Sequence, residues 1–255
     1  MLVAERWQKI VQLVNERGSI RVSELSELCH VTEETIRRDL DRLESEGKLI
    51  RSHGGAISIR ESGTEVPFFE RETMHAEQKQ AIAKEAVSHI RPHDRIILDA
   101  SSTAWYMSRI LPDIPLTVLT NSIKVAVELA QKEKVQVIST GGQLAAHSLS
   151  YVGPLAEQSL DRYNADKAFL SSKGVHAERG ISEANEWQAA VKRKMIRIAE
   201  QTFVLADSSK FGIRSLAAVA DWPDIHCLIT DAGTEKAQLE QIRNQGINVV
   251  QLRQS

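Results

Sequence analysis

The stretch Thr32 to Arg60, TEETIRRDLDRLESEGKLIRSHGGAISIR, constrains this chain more than any other, because its apolar pattern runs at helical spacing and then breaks at a glycine. Ile36, Leu40 and Leu43 recur at i, i+4 and i+7, which predicts one buried helical stripe. Thr35, Arg37, Arg38 and Arg42 fall off that stripe. Gly47 can end the helix in a left-handed conformation, and Leu49-Ile50 and Ala56-Ile57 then read as short strands around a Gly54-Gly55 tip. Residues 47–60 carry Lys48, Arg51 and Arg60 and no acid, a formal +3, with His53 on the same ribbon.

The preceding residues sharpen this pattern. Trp7, Ile10, Val11 and Val14 share a helical face that stops at Gly18. VSELSEL, residues 22–28, predicts a short second helix, capped by Ser23, with Leu25 and Leu28 inward. Cys29-His30-Val31 turns the chain, and Thr32 is the natural cap of the third helix. Helix, short helix, turn and capped helix followed by a basic ribbon is the order of a winged helix-turn-helix, whose second motif helix enters the major groove. Thr32, Thr35, Arg37, Arg38 and Arg42 are the candidates to reach duplex DNA, and Arg51 and His53 of the wing are the candidates to hold its backbone.

Charge favours specific docking over general adhesion to polyanions. Residues 1–60 hold ten Lys or Arg and ten Asp or Glu, and the whole chain is formally −2. The plainer alternative is that the arginines pair with Asp39, Asp41 and Glu46 on a solvated face. Two cysteines, Cys29 and Cys227, predict neither a disulfide framework nor a zinc site. No cofactor is expected. No apolar run reaches membrane-spanning length and no signal segment opens the chain, so a cytoplasmic protein without a membrane partner is expected.

At 255 residues the chain has room for a second, larger domain. Residues 61–75 are polar, contain Pro67 and predict a linker between domains at 1–60 and 76–255. Beyond it, apolar runs at 95–98, 116–119, 135–138, 165–170, 202–206 and 226–229 alternate with helical patterns, and 248–252 reads as an edge strand. This predicts an α/β domain with a mostly parallel sheet. Polar residues cluster after the strand ends: Asp99, Ser101, Ser102 and Thr103; Thr120, Asn121 and Ser122; Gly141 and Gly142; Asp207 and Lys210. Such segments line a crevice in this architecture, and Ser101 to Thr103 open a helix whose free N–H groups suit a phosphate or carboxylate. Each run taken singly is also an ordinary helix cap.

TEETIRRDLDRLESEGKLIRSHGGA, residues 32–56, is similar to the DNA-binding signature of the DeoR family of bacterial transcriptional regulators. LDASST (98–103), TNS (120–122), GG (141–142) and ADSSKFG (206–212) resemble that family's sensor domain, which shares its fold with ribose-5-phosphate isomerase and CoA transferases. The resemblance implies an effector site with Asp99, Ser102, Thr103, Asn121, Gly142, Lys192, Asp207 and Lys210, and a phosphorylated sugar or sugar acid as ligand. The chain departs from the family at Ser101, where glycine is common, and at Glu183 and Gln188. His147 reads as a surface loop residue. The resemblance implies a repressor of a carbohydrate operon, acting as a dimer or tetramer on double-stranded operator DNA. Two rivals are a sugar-phosphate isomerase using Asp99, Glu183, Asp207 and Lys210, and an architectural DNA binder that senses nothing.

Overall fold

The computed structural model describes residues 2–17, 19–46, 48–52, 54–58 and 66–253, and the chain divides into compact units at Met1–Thr64 and Glu65–Ser255. In the first unit α1 (Val3–Arg17), α2 (Val22–Cys29) and α3 (Glu33–Ser45) pack around Ile10, Val14, Leu25, Ile36, Leu40 and Leu43. The expected stripe of α3 is therefore its core face. Thr32 caps α3 as expected, its hydroxyl accepting from the Thr35 N–H at 3.3 Å. His30, at φ 54°, makes the left-handed turn between α2 and α3.

Two local readings change in this unit. Ser23 does not cap α2: Arg21 is the residue before the helix, and its side chain makes no capping bond. The Val22 N–H instead donates to the Gly54 carbonyl at 2.9 Å, so the wing tip satisfies the helix start. The wing also has a third strand. β1 (Ser19–Arg21), β2 (Ile50–Ser52) and β3 (Gly55–Ile57) form an antiparallel sheet in the order β1-β3-β2. Three residues are too short for a period-2 pattern to show, and a side chain at Gly55 would overlap the Ile20 carbonyl. Gly18, Gly47, His53 and Arg60 lie outside the described residues.

The second unit is built on a seven-stranded, wholly parallel sheet. Its strands are β4 (Arg95–Leu98), β5 (Leu116–Thr120), β6 (Val135–Ser139), β9 (Ala165–Leu170), β12 (Ala199–Leu205), β14 (Cys227–Thr230) and β15 (Asn248–Gln251), in the order β15-β14-β12-β9-β4-β5-β6. β15 is the expected edge. Helices α5 (Ala76–Ser88), α6 (Ser102–Ile110) and α7 (Ile123–Leu129) bury Ile96, Leu98 and Val118 on one face. Helices α8 (Pro154–Leu160) and α9 (Glu186–Ile198) bury Ile97, Leu119 and Leu170 on the other, and α10 (Lys236–Arg243) packs near Leu228. Alternation along each strand thus feeds both layers.

Short antiparallel pieces decorate this core: a hairpin of β7 (Gln143–Ala145) and β8 (Ser150–Val152), and a sheet of β10 (Gly174–His176), β11 (Gly180–Glu183) and β13 (Ala217–Ala220). The expected linker also shrinks. Residues 66–73 belong to the second unit, where α4 (Phe68–Thr73) buries Phe68 completely. An apolar pair within a polar run was the only sequence sign of this docking.

Candidate DNA interface and effector crevice

On α3 the arginines keep their tips in solvent while making pairs along the helix. Arg38 is 80% exposed, with Glu34 at 3.5 Å. Arg42 is 2.9 Å from Glu46, and Arg37 is 2.6 Å from Glu33 and 3.7 Å from Glu34. Of the alternative partners, Glu46 does pair with Arg42, whereas Arg37 and Arg38 pair with Glu33 and Glu34 rather than with Asp39 and Asp41. Exposed pairs of this spacing contribute only about 0.3–0.5 kcal/mol, so a phosphate or base edge can displace them. Thr32 and Thr35 share a 2.9 Å hydroxyl contact at the helix start, where backbone N–H groups favour an anion.

Asp39 is not on this surface. It is buried and accepts from Arg6 Nε at 2.6 Å, Arg6 Nη2 at 3.1 Å and Trp7 Nε1 at 2.7 Å, tying α3 to α1. Arg51 is engaged too. Its guanidinium pairs with Asp41 and its N–H donates to Glu44 at 2.8 Å, which folds the wing against α3.

In the second unit the chain order reverses between β4 and β9, the neighbours from which successive strands build in opposite directions. Such a switch point opens a crevice beyond the strand ends. Asp99, fully buried, spans it, accepting from Ser101 N at 3.1 Å and Ser171 N at 3.0 Å. Lys192 reaches in from α9, 3.0 Å from Asp99, 2.6 Å from Glu183 and 2.5 Å from the Ser171 carbonyl. Burial works against its ammonium, but Asp99 and Glu183 outweigh it and hold Lys192 protonated well above the ordinary lysine range. The unfamiliar Glu183 is therefore a second carboxylate on one lysine.

Each polar run does some capping and leaves something over. Ser101 turns its hydroxyl to the Ala104 N–H at 3.0 Å and has φ −78°, so the backbone accepts a side chain where relatives use glycine. Ser102 and Thr103 follow, buried, in the first turn of α6. Ser122 caps α7 through the Val125 N–H, and Thr120 accepts from Ser122 N. Asn121 Nδ2 donates to the Tyr151 carbonyl at 3.0 Å, which fixes the amide orientation, and among the described residues its buried Oδ1 has no hydrogen-bond partner. Gln188 donates to Ser148 and Ser150, both at 2.8 Å, joining α9 to the hairpin.

The glycines and the last run complete the edge. At Gly142, φ 117°, a side chain would meet the Val152 carbonyl and Ala156, so close packing of the hairpin on α8 requires glycine. Gly141, φ 61°, has open space around it. His147 is exposed, as expected of a surface loop. Asp207 is buried after β12; burial opposes its charge, but Lys210, hydrogen bonds from Ser209, Lys79 and His75 hold its carboxyl below the usual range. Among the described residues no carboxylate lies within salt-bridge distance of Lys210. Sequence reading missed Lys79, Ser148, Ser150 and Ser171. Lys79 lies in an alanine-rich helix with a weak apolar pattern, and the serines carry no spacing signal.

A three-helix reader with a wing, followed in the chain by an α/β unit in which Asp99, Ser171, Glu183 and Lys192 meet at a switch point, defines the class of helix-turn-helix transcriptional regulators. The sequence matches the DeoR-like helix-turn-helix domain over residues 6–62 and the DeoR C terminal sensor domain over residues 74–232. The chain belongs to the DeoR family. It is 55% identical to the uncharacterized HTH-type transcriptional regulator YulB of Bacillus subtilis (strain 168), over 98% of this chain and 96% of that one. It is 39% identical to an L-fucose operon activator of Haemophilus influenzae, over 89% and 91% of the two chains. A putative aga operon transcriptional repressor of Escherichia coli O157:H7 is 37% identical over 97% and 93%. These full-length relatives are regulators, not enzymes. Among the described residues no helix is long and apolar enough to cross a membrane.

Proposed function

We propose that this DeoR-type regulator represses a carbohydrate or sugar-acid catabolic operon, and that a small phosphorylated or acidic metabolite in the switch-point crevice releases it from DNA. The observation that carries the reading is the unpartnered, buried Asn121 Oδ1 at the end of β5. A buried acceptor without a donor is costly, and a ligand hydroxyl supplies the donor. Lys210 and the first turn of α6 offer the complementary anion-binding groups. Asp99, Ser101, Ser102, Thr103, Thr120, Asn121, Ser122, Gly141, Gly142, Lys192, Asp207 and Lys210 are assigned to this crevice.

Thr32, Thr35, Arg37, Arg38 and Arg42 are assigned to the operator's major groove, with Arg51 and His53 on its backbone. A homo-oligomer, dimer or tetramer, presents two such helices to repeated half-sites. Operon names among the relatives support the carbohydrate assignment, although they include both an activator and a repressor. Isomerase chemistry is disfavoured because Asp99 and Glu183 share the ion pair with Lys192, which leaves neither as a free base.

The test is binding of the purified protein to its own upstream DNA at fixed salt, titrated with phosphorylated sugars and sugar acids. Release by one of them is the expected result. Specific binding that no such compound changes counts against the sensing role, and tightening reverses the proposed sign.

A further inference from the structure

One short helix, α4, is held by residues from α5, α6, α7 and the β7–β8 turn. The α4 residue Phe68 donates its N–H to the His147 carbonyl at 2.6 Å, in the turn of the hairpin that follows Gly141 and Gly142. Tyr106, on the helix that opens with Ser102 and Thr103, donates to the Glu72 carbonyl at 2.8 Å. Lys124, two residues after Ser122, stands 5.4 Å from the ring centres of Phe68 and Phe69, 4.9 Å from that of Trp105, and 3.6 Å from the Glu72 carboxylate. The buried Lys79 of α5 donates to the Arg71 carbonyl at 2.5 Å and the Met74 carbonyl at 2.6 Å. In sequence, α4 is the first described element after the DNA-binding unit.

We propose that α4 responds to occupancy of the crevice, and that Lys79, through its bonds to the Arg71 and Met74 carbonyls, is the positioning residue that holds α4 in that response. The inference rests on the effector reading above and adds the element that responds to occupancy.

The charges around Lys79 give the coupling its direction. Burial pushes its ammonium down to about 7, the charges of Lys210 and Arg71 push the same way, and Asp207 opposes them. His75, at the left-handed corner between α4 and α5, acts on the same Asp207. Near neutral pH the Lys79 cation is therefore disfavoured in this corner. Losing the proton relieves this, and so does opening α4 to water. An anion beside Lys210 supplies the missing negative charge, keeps Lys79 protonated in place and preserves its two bonds to α4. By linkage, the anion binds more tightly to the closed corner than to the open one.

The experiment is hydrogen–deuterium exchange on the full chain at pH 7, with inorganic phosphate compared against chloride at equal ionic strength. Phosphate is expected to slow exchange severalfold in residues 68–74 as well as in 99–104. In Lys79→Met, and in Lys79→Gln, which keeps a donor without the charge, 99–104 stays protected while the effect on 68–74 disappears. Slowing of 68–74 that survives in either variant overturns the role of Lys79. Protection of 99–104 and 207–212 in the wild type, with 68–74 unchanged, overturns the role of α4 and leaves the effector reading standing. No protection by phosphate anywhere overturns both.

Discussion

Asp39 in the DNA-binding unit and Asp99 in the sensor unit are both buried carboxylates that join distant elements, yet they keep different company. Asp39 meets one guanidinium and one indole N–H, so one acid is balanced by one base and both its oxygens accept. Asp99 shares a single lysine with Glu183, and the unpartnered Asn121 Oδ1 terminates the neighbouring strand. Balanced buried charge serves to hold helices, and the arginines proposed to meet DNA lie outside it in water. In the sensor unit the buried polar groups are themselves the candidate site, and they retain capacity for a guest.

The sharpest way to break this contrast is to remove one partner from each cluster. Asp39→Ala leaves Arg6 buried without its carboxylate and is expected to destabilise the first unit by about 3–5 kcal/mol in urea unfolding. Lys192→Met strands two carboxylates and belongs in the same range. If Lys192→Met were near neutral while Asp39→Ala unfolded its unit, the sensor cluster would owe little to its lysine.

Acidity probes Lys79 in the second unit. Lys79 lies at about 7 in the folded protein against 10.5 for the ordinary side chain, so the unfolded chain binds more protons between those values. Stability should then rise with pH from about 7 toward 10, by up to about 1.4 kcal/mol per unit, and should be flat in this respect below 7. Comparing urea midpoints of wild type and Lys79→Met at several pH values isolates the contribution, and parallel curves would refute it.

Smaller effects separate reading from holding on α3. Arg38→Ala should leave stability within about 0.5 kcal/mol while costing about 1–3 kcal/mol of operator binding, with relaxed discrimination. Equal losses on operator and random DNA would demote Arg38 to a phosphate contact. Thr32→Ala, which removes the cap together with the hydroxyl contact to Thr35, should cost about 1 kcal/mol of stability.

The reader was legible in the sequence because its signals are local. The stripe Ile36, Leu40 and Leu43, the cap Thr32 and the turn after Cys29 each depend on residues within a turn or two. The crevice was legible in part: Asp99, Asn121 and Asp207 follow apolar strand runs, and strand ends are where ligands sit in such sheets. Their partners were not legible. Ser171 lies 72 positions from Asp99 and carries no pattern of its own. Lys79 looks like any helix lysine until the Arg71 and Met74 carbonyls close over it. The start of α2 at Val22 was legible, but its cap was not, since its first N–H is satisfied by the Gly54 carbonyl rather than by the nearby Ser23 side chain.

Sequence alone therefore determined the order of the two units, the recognition helix and the chemistry available at the strand ends, because periodicity, caps and strand runs are set by neighbours along the chain. Tertiary structure decided which charges are spent and which are left. It buried Asp39 against Arg6, gave Glu183 and Asp99 one lysine to share, drew residues 66–73 out of the expected linker and set α4 against the crevice. Those outcomes follow from burial and from distances between segments far apart in the chain, where the strength of a charge or hydrogen bond depends on what excludes water around it.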